Sequence, residues 1–333
     1  MKMSPWLAFF ILSSAIAPAF PAETHCPGSV AGVSLRHING YQMLVQVSAN
    51  HSAPSDFLLD TGTQVTILDQ SFANVLNLKA KGSATLQGIG FRNSTSIAQV
   101  DELAVGANTV SDLKVLVANL ASINSSGLRI KGILGEDFLR RFDMLIDNSR
   151  SLLCLDDAGL MRTGMTGQRI SLLPTPNTAN GDVSVNSLIM SVRLLGGTQM
   201  VRLALDSGSD VPFLFAPSEV LAAGALEGHL RVGRGANGDQ QWLVTLPPQT
   251  IKIGGDNRSG VSFLTLRNGP QGSRVSAYDG LLPTGIFRSI FVSRSGEFAV
   301  LDPNYRGSSQ RESRVHRCVF RRALHVAERS ILM

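Results

Sequence analysis

Two short stretches decide how this chain folds: Phe57-Leu58-Leu59-Asp60-Thr61-Gly62-Thr63, and Val201-Arg202-Leu203-Ala204-Leu205-Asp206-Ser207-Gly208-Ser209. In each, an apolar strand ends on an aspartate that is followed at once by a hydroxyl residue and a glycine. This places a carboxylate on a tight turn at the edge of a core, where an unpaired charge is costly. A single Asp-Ser/Thr-Gly triplet reads simply as a β-turn whose glycine permits positive φ. Here the surroundings of the triplet repeat as well.

Gly132, in Lys131-Gly132-Ile133-Leu134-Gly135-Glu136-Asp137-Phe138-Leu139, lies 72 residues after Asp60, and Gly280, in Asp279-Gly280-Leu281-Leu282-Pro283-Thr284-Gly285-Ile286-Phe287, lies 74 after Asp206. A closing Leu-Asp follows in both places, Leu155-Asp156 and Leu301-Asp302, at 24 and 22 residues past the two glycines. Three landmarks in the same order make a long internal repeat, with one Asp-Thr/Ser-Gly turn per half. Apolar runs rich in Val, Leu and Ile, many glycines and only 17% charged residues describe an all-β protein.

Asp-Thr-Gly after an apolar strand, then a Gly-containing hairpin, then Gly-Ile-Leu-Gly-x-Asp-Phe-Leu, resembles the aspartic peptidases, most closely the retropepsin-like bacterial members. The likeness covers residues 40 to 303 and occurs twice. It implies two retropepsin-like β-barrel lobes related by a pseudo-two-fold repeat, with an interlobe cleft to which each lobe donates one aspartate. Asp60 and Asp206 are then the catalytic pair of an aspartic endopeptidase that activates a water, acting on a peptide or protein substrate as a monomer without a cofactor. Thr61 and Ser207 resemble the hydroxyls that cross-brace the two turns. Gly62 and Gly208 let backbone N–H groups approach the carboxylates, and Thr63 and Ser209 are placed to hydrogen-bond an outer carboxylate oxygen. The hairpin tip Gly88-Ile89-Gly90 resembles the flap that closes over substrate. None of the three tyrosines, Tyr41, Tyr278 and Tyr305, falls in it, so pepsin-style subsite preferences do not carry over. The plain alternative for this tip is a Gly-rich hairpin without function. A matching hairpin is expected at Val232-Gly233-Arg234-Gly235, with Gly233 27 residues past Asp206.

Two departures stand out. Pro283 replaces the glycine of the Ile-Leu-Gly landmark, fixing φ and removing a donor. Asp210 adds a carboxylate beside the second turn, where the retropepsins pair an aspartate with an arginine; without such a partner it would raise the pKa of its neighbour. Rival readings are an exported peptide-binding protein that kept the cleft and lost turnover, and an exported structural module braced by the same turns.

The expected organisation is a signal peptide over 1–22, an N-terminal lobe over 23–165, a linker over 166–187, a C-terminal lobe over 188–303 and a basic tail over 304–333. Lys2, the apolar run from Trp6 to Ala17, and Ala17-Pro18-Ala19 form a secretory signal, so the protein is expected to be exported, periplasmic or secreted. No later stretch approaches a transmembrane length. The tail holds seven Arg against two Glu, which accounts for the formal +5 of the whole chain. The body is thus near neutral and gives no reason to expect nucleic acid as a partner. The six histidines lack metal-ligand spacing, so no metal is expected. Cys26, Cys154 and Cys318 are an odd number for an exported chain, leaving at least one without an intramolecular partner, and Cys154 reads as a small core residue.

Overall fold

The computed structural model describes residues 26–305, apart from 39, 89–90, 125–126, 174–187, 196–199, 222–227, 235–238 and 268–277. Three sheets carry the architecture, of eight, nine and six strands. Their strands follow the apolar runs of the sequence: Met43–Ala49 and Leu152–Asp156 are almost wholly buried, as expected of strands covered on both faces.

The repeat read from spacing is present strand for strand. In the eight-stranded sheet the neighbours run Met43–Ala49, Ser55–Leu59, Gly132–Leu134, Ile67–Asp69, Asn108–Ala118, Phe91–Val105, Gly82–Gly88. The nine-stranded sheet has the same run in Ile189–Leu194, Met200–Asp206, Gly280–Pro283, Phe213–Leu214, Leu264–Leu266, Gln240–Thr245, His229–Arg234. Directions agree too, since each Asp-bearing strand lies parallel to the strand opened by the landmark glycine, Phe57 opposite Gly132 and Leu203 opposite Gly280. These glycines are where a third strand presses in. A Cβ on Gly132 would lie 2.3 Å from the Phe57 ring, and one on Gly280 would lie 2.1 Å from the Phe213 carbonyl oxygen.

Pro283 ends the symmetry locally. It is the last residue of its strand, opposite Asp206, and a 3-10 turn Thr284–Ile286 follows where the first half has the short helix Glu136–Leu139.

The six-stranded sheet belongs to both halves. Its order is Gly32–Ser34, Leu152–Asp156, Asp143–Asp147, Ser289–Ser293, Phe298–Leu301, Arg169–Ser171. At its centre Met144 pairs with Val292 and Ile146 with Ile290, so a pseudo-two-fold axis passes beside Leu145 and Phe291. One apolar cluster runs through both halves, from Met43 and Phe57 to Leu203 and Phe287. The halves are therefore welded by shared core, and the two Asp-bearing turns inherit a fixed relation.

Cys154 is a core residue, but it also has a partner: it forms a disulfide with Cys26, 128 residues earlier. That bond ties the first described residue to the central sheet beside Met161, Met165 and Tyr305. At the start of the stretch read as tail, Asn304 is exposed but hydrogen-bonded to the body, and Tyr305 is buried. Asn304 exchanges backbone hydrogen bonds with Thr166, at 2.8 and 3.0 Å, and the Tyr305 hydroxyl donates to the fully buried Asp147. Arg169–Ser171, within the stretch read as linker, is an edge strand on Phe298–Leu301. Among the described residues no helix is long and apolar enough to cross a membrane.

Candidate active site

Each aspartate is delivered by the end of a core strand. Asp60 follows Ser55–Leu59, its backbone N–H held by the Leu134 carbonyl at 3.0 Å, and Asp206 is the last residue of Met200–Asp206. The turns then fold back on their own carboxylates. Asp60 Oδ1 accepts from the N–H groups of Gly62 and Thr63 at 2.8 and 2.9 Å, and Asp206 Oδ1 accepts from those of Gly208 and Ser209 at 2.8 and 3.1 Å.

The hydroxyls of the two turns cross over. Thr61 Oγ1 donates to the Leu205 carbonyl at 2.8 Å and accepts from Ser207 N–H at 3.0 Å; Ser207 Oγ donates to the Leu59 carbonyl at 2.8 Å and accepts from Thr61 N–H at 3.0 Å. Both side chains are buried, so these four bonds are unshared with solvent and fix one turn against the other. Gln42 adds a fifth tie, donating from Nε2 to the Gly208 carbonyl at 2.6 Å.

As a result the carboxyl groups of Asp60 and Asp206 are brought together, each against the glycine of the other's turn, and each acts on the titration of the other. Gly62 lies against the Asp206 carboxyl and Gly208 against that of Asp60, each leaving no room for a Cβ. The glycines thus serve twice, donating to their own aspartate and making space for the other.

The next pair of residues differs between the halves. Thr63 Oγ1 donates to Asp60 Oδ2 at 2.7 Å, as its position suggested. Ser209 does not do the same for Asp206, because its hydroxyl turns to the Val211 carbonyl at 2.6 Å. Burial pushes the Asp60 carboxyl up, against the pull of Thr63 and the two backbone donors. Asp206 is pushed well above the usual carboxylate range, first by burial and then by the negative charge of Asp60. Two such groups titrate as a pair and hold one proton between them over a wide pH interval.

Asp210 is an exposed residue whose carboxyl is raised by partial desolvation, with Arg231 the cation that opposes the shift. Tyr278 was given no role by the sequence. Its ring stacks on Phe215 at 5.8 Å, and its hydroxyl is pushed up to about 12 by burial and by both Asp206 and Asp60. Glu136, inside the first landmark, has a role the sequence does not reveal. It is 1% exposed and ion-paired to Arg294 at 2.7 Å. The signal for it is an acidic residue, next to Asp137, between the apolar runs Ile133-Leu134 and Phe138-Leu139.

For the expected flap, Gly82–Gly88 and Phe91–Val105 pair antiparallel as far as Gly88 opposite Phe91, while Ile89 and Gly90 lie outside the described residues. The second hairpin pairs His229–Arg234 with Gln240–Thr245, and its expected tip residue Gly235 also lies outside them. Among the described residues no group of three or more His, Cys, Asp or Glu side chains gathers to hold a metal ion.

Residues 45–138 match the model of a family described as aspartyl protease, a span that contains the Asp60 turn and the Gly132 landmark. Among solved structures, the chain is similar to a retropepsin-like aspartic protease from Rickettsia conorii at 22% sequence identity, over 38% of this chain and 90% of that one, with a TM-score of 0.29. A search of curated proteins finds no match. The family match supports an aspartic protease-like assignment for the first half and does not reach Asp206.

Proposed function

We propose that this chain is an aspartic endopeptidase that hydrolyses peptide bonds through a water activated by Asp60 and Asp206. The observation that carries the reading is the meeting of two carboxyl groups, Asp206 buried and Asp60 half-buried, from repeated turns cross-braced by Thr61 and Ser207. A turn that merely braces a fold needs no second carboxylate against the first, and a peptide binder gains nothing from keeping both.

The donors distribute the roles. Asp60 receives two N–H groups and the Thr63 hydroxyl, which favour its ionised form, whereas Asp206 receives two N–H groups and the repulsion of its neighbour. Asp60 is then the general base that takes a proton from the water as it attacks the scissile carbonyl carbon. Asp206, protonated, gives its proton to the carbonyl oxygen, so that the intermediate is a neutral tetrahedral diol. On collapse Asp60 passes the proton it took from the water to the leaving amine as the C–N bond breaks, Asp206 regains a proton from a diol hydroxyl, and no covalent enzyme intermediate forms. An extended peptide lying between the halves, beside the hairpin of Gly82–Gly88 and Phe91–Val105, presents its backbone to the pair.

Export fits the same reading. The disulfide between Cys26 and Cys154 is chemistry of an oxidising compartment, and Cys26 lies just past the expected signal at 1–22. N-terminal sequencing of the exported protein should begin between residues 20 and 23; an exported product retaining Met1 would remove this part of the proposal.

The deciding experiment is cleavage of a peptide library, read by mass spectrometry at several pH values, by wild type, Asp60→Asn and Asp206→Asn. Each variant should fold and lose at least about 10² to 10⁴ in turnover, the range of a general acid or base contribution. Near-wild-type turnover by folded Asp206→Asn would sink the two-aspartate mechanism. A wild type that cleaves nothing would favour the peptide-binding alternative.

A further inference from the structure

Beside the aspartate pair lies a charged pair that the repeat does not duplicate. Glu136 opens the short helix Glu136–Leu139, and its Oε1 accepts from Arg294 Nη2 at 2.7 Å. Arg294 comes from the other half, directly after the central strand Ser289–Ser293. Glu136 is buried and Arg294 half-buried, and Glu136 Oε2 and Arg294 Nε have no hydrogen-bond partner among the described residues. The contact is thus single-pronged and largely screened from solvent on the Glu136 side, where a charge acts on its neighbours more strongly than in water.

Its neighbour is Asp60. The Glu136 N–H donates to the Thr63 carbonyl at 2.8 Å, and Thr63 Oγ1 donates to Asp60 Oδ2. On the opposite side of the pseudo-two-fold axis Thr284 stands where Glu136 stands, and Asn148 where Arg294 does. Asn148 Nδ2 donates to the carbonyls of Thr284 and Phe287 at 3.1 and 2.9 Å. One cross-half contact is therefore ionic and lies by Asp60, while its twin is neutral and lies by Asp206.

We infer that Glu136 and Arg294 are positioning residues that set the electrostatic difference between the two aspartates, acting on Asp60 through their balance of charge. The inference rests on the peptidase reading for its consequence in turnover, but the coupling itself exists whether or not the protein cleaves peptides. Burial pushes the Glu136 carboxyl up and Arg294 pulls it down, with Asp60 and Asp137 adding to the upward push. Among the described residues, Asp206 and Tyr278 also interact with Asp60, and Asp137 acts on Glu136. Glu136→Gln leaves a half-buried guanidinium that keeps its proton, and this cation favours ionised Asp60. Removing both charges restores the balance. A bracket that acts only mechanically would instead degrade the site in every variant, the double one most.

The test titrates Asp60 by NMR of its labelled carboxyl carbon in wild type, Glu136→Gln, and Glu136→Gln with Arg294→Met, alongside the pH profile of kcat/KM. Thermal unfolding serves as the check of folding. The Asp60 titration and the acid limb of the profile should both fall by about one pH unit in Glu136→Gln, a tenfold change in proton affinity, and return close to wild type in the double variant. An unmoved Asp60 titration in folded Glu136→Gln overturns the inference, as does a double variant that fails to recover. If Glu136→Gln does not fold, Arg294→Gln reads the same coupling with opposite sign. Asp60 should then titrate higher, by less than a unit because Glu136 takes up a proton itself, and no movement overturns the inference. Absence of peptide cleavage by wild type would defeat the peptidase reading and leave the NMR result to stand or fall alone.

Discussion

Replacing Gly208 by alanine adds one methyl group at the closest contact in the site. Its Cβ would lie 2.3 Å from Asp60 Cγ, 2.5 Å from Oδ2 and 2.7 Å from Oδ1, whereas ordinary contact begins at 3.4 Å. Relief requires a displacement of about 1 Å, the difference between the first and last of these distances. Asp60 cannot simply swing aside, because Gly62 and Thr63 hold Oδ1 through their N–H groups and the Thr63 hydroxyl holds Oδ2. The Gly208 turn cannot retreat either without pulling Ser207 away from Leu59 and Thr61.

A 1 Å misplacement of a reacting group costs on the order of 10²-fold in rate, and forcing a methyl into a packed site costs about 1–3 kcal/mol in stability. Gly208→Ala should therefore remain folded, lose about 10²-fold in kcat/KM on a cleaved peptide, and bind a tetrahedral hydroxyl mimic more weakly. Gly62→Ala, whose Cβ would meet Asp206 Cγ at 2.6 Å, should show a smaller loss of the same kind. The measurements are steady-state kinetics with unfolding curves on the same preparations. If folded Gly208→Ala turns over like wild type, the two aspartates are not packed against these glycines and the site geometry is wrong.

Three further outcomes follow from the same contacts. Asp206 has a folded pKa above its unfolded value, so its contribution to stability is present below the unfolded value and is lost as pH rises through the folded one; Asp206→Asn should gain stability relative to wild type between about pH 4 and neutrality, about 1.4 kcal/mol per unit of elevation, in urea titrations at the two pH values. Removing the disulfide by Cys26→Ser with Cys154→Ala opens a link spanning 128 residues, worth up to about 5 kcal/mol on chain entropy, and unfolding curves should show a loss of about 2–5 kcal/mol; an unchanged midpoint would mean that the link adds nothing to the folded state. A chain ending at Pro303 loses the hydrogen bond from Tyr305 to buried Asp147 and should be less stable than one ending at Tyr305 by about 1.5–3 kcal/mol, while the latter should match the full chain in calorimetry.

What the sequence made legible was local chemistry that leaves a trace in spacing. A carboxylate caught by the N–H groups two and three residues on needs Asp-x-Gly, and a strand pressed by a neighbouring backbone carbonyl, Ile67 or Phe213, needs Gly132 or Gly280, so both features recur at nearly fixed intervals in each half. The partners that escaped are distant in the chain. Cys26 and Cys154 are joined only when the first described segment reaches the central sheet, and Glu136 meets Arg294 only because the two halves share that sheet. The hydroxyl of Ser209 is a different case. Its residue type matches Thr63, yet it finds the nearby Val211 carbonyl instead of the carboxylate, a choice between two local acceptors that composition cannot decide.

That choice has a chemical consequence which duplication within one chain makes possible. In a strictly two-fold pair, the two aspartates would receive identical donors, and the shared proton would have no preferred home. Here the brace next to the dyad is kept symmetric, with Thr61 and Ser207 exchanging matching bonds, so the distance between the carboxyl groups is preserved. One residue further out the symmetry breaks. Thr63 gives Asp60 a third donor that Asp206 lacks, and a hydrogen bond to a charged group is worth about 1.5–3 kcal/mol, equivalent to roughly one or two pKa units. Asp206 is 7% exposed, while Asp60 keeps part of its surface open. Both differences act in the same direction, leaving the charge on Asp60 and the proton on Asp206. On the proposed mechanism, a pair arranged in this way would meet its substrate already divided into base and acid, and would not need to spend binding energy on choosing between two equivalent states.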